Sequence, residues 1–382
     1  MCQAWRQVFT SRSSLWTDLS CTDRDKTRVY LERSNPSPIN LSLRREGNLT
    51  SPDPFLQITP QAIARLKSLS VKGTPWDLQN ILPHLSYPAP LLEDLSIISS
   101  REHKLPVLAP AFFNGDLTLL RELRLERVCT ELPWRNMVNL TSLTLYNTSP
   151  ASVGRLLDFF ESAPHLRDIH LSLESPIPDA QNGRLVSLAC LKTMWIDGLS
   201  SVLLDHLLIP VGARLNTEID LSTHPPRFLD NLKNLLNFTE IGLSEWGPIP
   251  RMGFSGPNGE VNMWADCSRG ISSMVEVLTQ LDTSKTKLLA AMCTDDLSSA
   301  SIYQALLPMK DLRAIVISQC STALAFIHTL DPGMSPSGVA VCPKLEKLEF
   351  EYRKTLDIKD LRNGGGKGVN RGETQVCHDR LL

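Results

Sequence analysis

The chain has 382 residues, 42% hydrophobic and 21% charged, which excludes a disordered protein and provides length for one elongated domain or two compact ones. Lys plus Arg (39) nearly balance Asp plus Glu (41), and a formal net charge of -2 provides no long-range field for nucleic acid or an anionic membrane, so neither is expected as a partner. No apolar run approaches the roughly 18 residues of a membrane span, and the opening MCQAWRQVFTSRSSLW lacks the apolar core of a secretory signal, which predicts an intracellular protein of cytoplasm or nucleus.

Residues 1–38 form the first segment. Cys2, Trp5 and Arg6 fall on one predicted helix, a polar turn follows, and Ser14, Leu15, Trp16, Thr17 and Leu19 come next. Ile39–Arg44 (INLSLR) is the first predicted strand. On the residues alone, the competing role for Trp5 and Trp16 is the cover that the open end of a repeat array requires.

From there one template recurs. NLTSLTLYNTS, residues 139–149, places Leu140, Leu143 and Leu145 in an L-x-x-L-x-L arrangement with polar gaps. The same arrangement appears as Leu66/Leu69/Val71, Leu92/Leu95/Ile97, Leu120/Leu123/Leu125, Leu166/Ile169/Leu171, Leu191/Met194/Ile196 and Phe238/Ile241/Leu243, with an out-of-step copy at Leu215/Ile219/Leu221. The steps between first positions are 26, 28, 20, 26, 25, 24 and 23 residues, inside the period of about 20 to 29 that marks leucine-rich repeats. Irregular units are expected around EVNMWADC and TKLLAAMC. The template then returns as Leu312/Ile315/Ile317 with Cys320 and as Leu345/Leu348/Phe350.

Helices alternate with these strands. In SPASVGRLLDFFESAPHL, Ser149 or Ser152 can cap a stripe of Val153, Leu156, Leu157 and Phe160, and in TPWDLQNILPHL Thr74 caps a helix with Pro75 at its first position. The expected fold is an α/β leucine-rich-repeat solenoid over residues 39–358. It is an arc or horseshoe with parallel strands on the concave face, helices outside and a leucine ladder between them. The competing reading is a compact α/β fold. Its buried parallel strands would be apolar throughout, whereas RELRLE and HLRDIHLS carry charge in the gaps. Residues 359–382 lose apolar periodicity and gather glycine and charge, which predicts a flexible tail.

The two ends carry a resemblance. The Cys2, Trp5, Arg6 helix followed by Ser14, Leu15, Trp16, Thr17 and Leu19 is similar to the C-terminal part of an F-box, the helical module that docks on the Skp-type adaptor of cullin-based ubiquitin ligases. LLPMKDLRAIVISQCSTALAFIHTLDP followed by CPKLEKLEF resembles the last repeats of fungal, basidiomycete-type F-box proteins with divergent leucine-rich repeats. The family's module opens with a Leu-Pro-rich helix and a second helix, whereas this sequence starts inside the third helical part, so the N-terminal part of the module is expected to be missing. The resemblance implies a substrate-recognition subunit of an SCF-type ubiquitin ligase, with Trp5, Leu15 and Trp16 toward the adaptor, an unknown protein substrate on the repeat face, and a monomer outside the complex. The alternative is a stand-alone interaction or scaffold protein that does not bind the adaptor.

Chemistry within the chain is not expected. There is no G-x-S-x-G, Walker-type, H-E-x-x-H or dinucleotide-binding glycine motif, and GFSGPNG (253–259) lacks the lysine a phosphate loop needs. Nine cysteines stand singly at 2, 21, 129, 190, 267, 293, 320, 342 and 377, which predicts reduced thiols and no metal site. Sequons at Asn40, Asn48, Asn139, Asn147 and Asn237 have no expected route to glycosylation. No enzyme activity and no cofactor are expected.

Binding residues follow from strand alternation, which points the residues between the leucines outward. They are Arg121, Glu122, Arg124 and Glu126 in one unit, Thr144 and Tyr146 in the next, then Arg167, Asp168 and His170, then Lys192, Trp195 and Asp197, and finally Glu349 and Glu351. The partner-binding set singled out is Arg124, Tyr146, His170, Trp195 and Asp197, with Trp195 central because exposed Trp, Tyr and Arg dominate interface energetics. Packing of Trp195 along its own strand face is the competing role.

Overall fold

A computed structural model of the chain describes residues 3–21, 24–44, 58–100, 113, 117–128, 137–148, 152–173, 184–197, 203–210, 212–220, 238–246, 249–257, 259–264, 278–279, 281–292, 298–318, 323–331 and 341–351. The predicted tail at 359–382 lies outside these. The chain groups into two compact units, one of residues 1–235 with 258–263 and one of residues 236–257 with 264–382.

The first unit begins with α1 (Gln3–Ser11), a 3-10 turn (Ser13–Trp16), β1 (Asp18–Cys21) and α2 (Arg24–Arg33). Next come β2 (Ile39–Arg44), α3 (Pro60–Ile63), β3 (Leu66–Gly73), α4 (Pro75–Ile81), β4 (Asp94–Ser99), β5 (Glu122–Glu126) and β6 (Ser142–Thr148). α5 (Val153–Ser162), β7 (Asp168–Leu173), β8 (Val186–Ser187), β9 (Thr193–Ile196), β10 (Leu207–Leu208) and β11 (Arg214–Asp220) complete the run. The sheet order follows the chain, β1-β2-β3-β4-β5-β6-β7-β9-β11, with every neighbour parallel, while β8 and β10 form a separate parallel pair.

Register explains why the leucines recur. Leu41, Leu69, Leu95, Leu123, Leu143, Ile169 and Met194 sit opposite one another on consecutive strands, as do Leu43, Val71, Ile97, Leu125, Leu145, Leu171 and Ile196, and all are buried. A third line of Leu66, Leu92, Leu120, Leu140, Leu166 and Leu191 is buried at or just before the strand starts. No strand covers its own apolar side, so each is stabilised by the next, and one dry ladder runs through the unit.

The helix caps follow the sequence reading. Thr74 and Asp77 form a capping box at α4, with Pro75 at the first turn and Leu78 and Ile81 buried beneath. At α5 the Ser152 hydroxyl accepts from the Arg155 N–H, and Val153, Leu156, Leu157, Phe159 and Phe160 are buried.

Three features differ from expectation. The sheet starts one strand before Ile39: β1 pairs with β2, yet only Leu19 of its described side chains is buried, so four residues hold too little of the template to reveal it. The Leu215/Ile219/Leu221 copy is also misaligned. Leu215 faces Met194 and Thr217 faces Ile196, so Leu215 takes the second ladder place and a polar residue takes the third.

The third difference lies in the second unit, where β12 (Glu240–Trp246) pairs antiparallel with β13 (Ile249–Gly256) instead of continuing a parallel array. Met252 and Phe254 oppose Leu243 and Ile241 and are buried, a period-two pattern that completes a hairpin. Parallel to β12 run β15 (Leu288–Met292), β16 (Ala314–Ser318) and β17 (Lys347–Glu351), with Leu289, Ile315 and Leu348 in line and then Ala291, Ile317 and Phe350. α6 (Ser299–Leu306) and α7 (Ala323–Leu330) pack on each other. β15 carries LLAAM, and EVNMW lies in β14 (Gly259–Trp264), whose residues up to 263 group with the first unit.

The architecture is therefore mixed α/β with a large parallel sheet that does not close into a barrel. Among the described residues no helix is long and apolar enough to cross a membrane.

Candidate functional site

In the first unit, the residues that alternate with the ladders are strung into rows by the parallel register. One row runs Ser20, Ser42, Ser70, Ser96, Arg124, Thr144, His170, Trp195 and Asn216 across β1 to β11. Serines make its first four places low, and larger side chains rise from β5 onward.

The expected residues Tyr146, His170 and Trp195 meet. The Tyr146 and His170 rings are 6.1 Å apart at 80°, and His170 lies 4.2 Å from Trp195 at 51°. Edge-on and tilted rings place a positive edge against a negative face, a gain of about 0.5–1.5 kcal/mol per pair beyond area burial. All three are half-buried, so Trp195 both packs along the strand face and keeps part of its indole toward solvent.

His170 is the most constrained of the three. Its Nε2 is buried without a hydrogen-bond partner. Burial holds the imidazole below its ordinary pKa, and Asp197, the largest opposing influence, does not offset it. The ring is thus neutral at pH 7, a flat amphipathic surface between two larger rings.

Charges frame the cluster. Arg124 donates to Glu126 at 2.5 Å, and Arg127 lies 3.7 Å from the same carboxylate. Along β9, Thr193 and Asp197 share the side of Trp195 by period two, and the Thr193 hydroxyl donates to the Asp168 carboxylate. Arg121, Arg167 and Lys192 are exposed just before their strands.

Two residues that hold the site escape sequence reasoning. Arg127 and Asn147 adopt left-handed backbone, with φ of 53° and 48°, which non-glycine residues adopt at a cost of about 1–2 kcal/mol. Arg127 donates its N–H to the Tyr146 carbonyl at 2.7 Å and its Nε to the Ser99 carbonyl at 2.7 Å, tying the ends of β4, β5 and β6 together. The Asn147 side chain accepts from the Ser172 hydroxyl at 3.2 Å where the β6–β7 register shifts. Asn tolerates this conformation better than other residues, a signal hidden behind its chance position in a sequon.

At the N-terminus, Trp16 makes its contacts within the protein. Its Nε1 donates to the Phe9 carbonyl at 2.7 Å, its ring meets Tyr30 edge-on at 5.0 Å, and the Arg33 guanidinium covers it at 4.5 Å. Leu15 is 50% exposed, and Val8 and Phe9 of α1 are each 43% exposed, so an apolar surface borders the segment. Trp5 lies on α1, and its side chain is outside the described residues. In the second unit Glu349 pairs with Lys347 at 2.6 Å, and the Glu351 side chain is likewise outside the described residues.

Among the described residues no group of three or more His, Cys, Asp or Glu is placed to hold a metal ion. No protein-family model matches the chain, and no curated protein matches it.

Proposed function

We propose that the chain is a leucine-rich-repeat recognition protein that holds a protein target on the outward side of its first parallel sheet. Catalysis belongs to partner enzymes. The observation that carries this reading is the Tyr146–His170–Trp195 ring cluster, half-open to solvent on a sheet whose other face is a continuous buried ladder. Aromatic side chains on a rigid surface lose little entropy on binding and are the usual anchors of protein interfaces.

The similarity of the two ends to fungal F-box proteins extends the proposal: the chain is the substrate-recognition subunit of an SCF-type ubiquitin ligase. Exposed Val8, Phe9 and Leu15 support an adaptor contact through the N-terminal helical segment. The inward engagement of Trp16 instead favours a stand-alone scaffold. A pull-down with the Skp-type adaptor separates the two. Capture of the chain, and loss of capture on combining Val8→Glu with Leu15→Glu, supports the ligase subunit. No capture of the unaltered chain leaves the scaffold.

A further inference from the structure

The edge of the candidate face carries a line of cations that the aromatic cluster does not use. The Thr141 N–H donates to the Arg121 carbonyl and the Arg167 N–H to the Thr141 carbonyl, each at 2.8 Å; the Lys192 N–H donates to the Arg167 carbonyl and the Arg214 N–H to the Lys192 carbonyl, each at 2.7 Å. These five residues thus stand at the starts of five adjacent strands, Arg214 as the first residue of β11 and the others one place before theirs, and four are basic. At a strand spacing of about 4.8 Å, Arg121 and Arg214 are about 19 Å apart.

Arg121, Arg167, Lys192 and Arg214 are all exposed, and none takes part in an ion pair among the described residues. Some other cations of the unit are paired: Lys67 with Glu93, Arg124 and Arg127 with Glu126, and Arg184 with Asp158 and Glu161.

We propose that this line is a docking strip for an extended acidic peptide segment of the protein target. The inference rests on the recognition reading and names the chemistry recognised. About 19 Å is the length of roughly six extended residues, and carboxylates on alternate residues recur about every 7 Å, within reach of long Arg and Lys side chains. Arg121, Arg167 and Lys192 share one row, while Arg214, opposite Thr193, stands in the adjoining row with Glu122 and Asp168, where a wider polyanion such as a nucleic acid meets like charge. A single peptide keeps to the strip, and the row of Trp195 stands one outward place beyond Asp168 and Thr193.

The test uses the full chain and fluorescence anisotropy. The probes are a fluorescein-labelled peptide of alternating Glu and Ser about six residues long, its Lys-Ser counterpart and a labelled oligothymidylate. The Glu-Ser peptide binds, more tightly at low salt than at high salt. Combining Arg167→Gln with Lys192→Gln weakens it by about two- to thirtyfold, the range two exposed ion pairs provide. The same loss of charge at Lys26 and Arg28 of α2 leaves binding unchanged. Circular dichroism confirms that each variant is folded.

Absence of binding at low salt, equal affinity of the paired Gln variant, or tighter binding of the oligothymidylate overturns the strip. A target cross-linked through position 195 in the face of such a failure leaves the recognition reading intact, so the two fail separately.

Discussion

Leu143 is the sharpest probe of the ladder. It is fully buried, lies in register between Leu123 and Ile169, and both neighbours are fixed on hydrogen-bonded strands. Leu143→Ala removes a buried side chain whose transfer is worth about 1.5–3 kcal/mol. The cavity adds to this because strands on both sides prevent collapse, placing the cost in the upper half of the roughly 2–5 kcal/mol range for such truncations. Leu348 of β17 has the same template position but is 36% exposed, with only Ile315 beside it on the described strands. There Leu348→Ala costs about 1 kcal/mol or less, since part of the transfer term is already lost to solvent. Urea titration followed by circular dichroism measures both. With a slope of about 3 kcal/mol per molar urea, Leu143→Ala lowers the midpoint of its unit by roughly 1 M or more. Equal costs for the two, or a loss below about 1 kcal/mol for Leu143→Ala, would refute the continuous ladder.

Thr74→Ala removes the hydroxyl that accepts the Asp77 N–H at 3.2 Å, half of the capping box, and lowers stability by about 1–2 kcal/mol in the same titration; an unchanged midpoint would exclude the cap as a determinant of α4. His170 gives a pH dependence. Its folded pKa is below the ordinary 6.5, so the unfolded chain takes up the proton first, and stability is lost as pH falls from about that value toward the folded one. His170→Phe flattens this acid-side slope in thermal melts, and an unaltered slope contradicts the assignment. Burial pushes the Cys342 thiol up to about 11, whereas Cys190 is exposed, so iodoacetamide at pH 8 modifies Cys190 first in peptide mapping. Equal rates would show Cys342 to be open to solvent.

The ladder positions were legible because burial of one strand face forces the same three apolar places on successive units, and the caps at Thr74 and Ser152 because Ser and Thr satisfy N–H groups that a helix start leaves open. The misreadings share a cause. β1 holds too few ladder residues, β11 places Thr217 where the template wants an aliphatic residue, and β13 alternates Met252 and Phe254 with a period of two that a repeat template ignores. At the candidate site, alternation was enough to put Arg124, His170 and Trp195 in one row. The ring contacts depend on rotamers, and the left-handed turns at Arg127 and Asn147 depend on where neighbouring strand ends fall, so neither is written in a local pattern.

Recognition on the outward face around Trp195 is the central proposal. A photo-crosslinking benzoylphenylalanine at position 195, compared with one at Trp76 on the helical side, tests it most directly in cell extract. Trp76 is 63% exposed, so it presents more surface than half-buried Trp195 and controls for chance encounter. A target held on that face gives a discrete adduct from position 195 that excess unlabelled chain competes away and that position 76 does not give. Adducts from position 76 alone, or none from position 195, would contradict it.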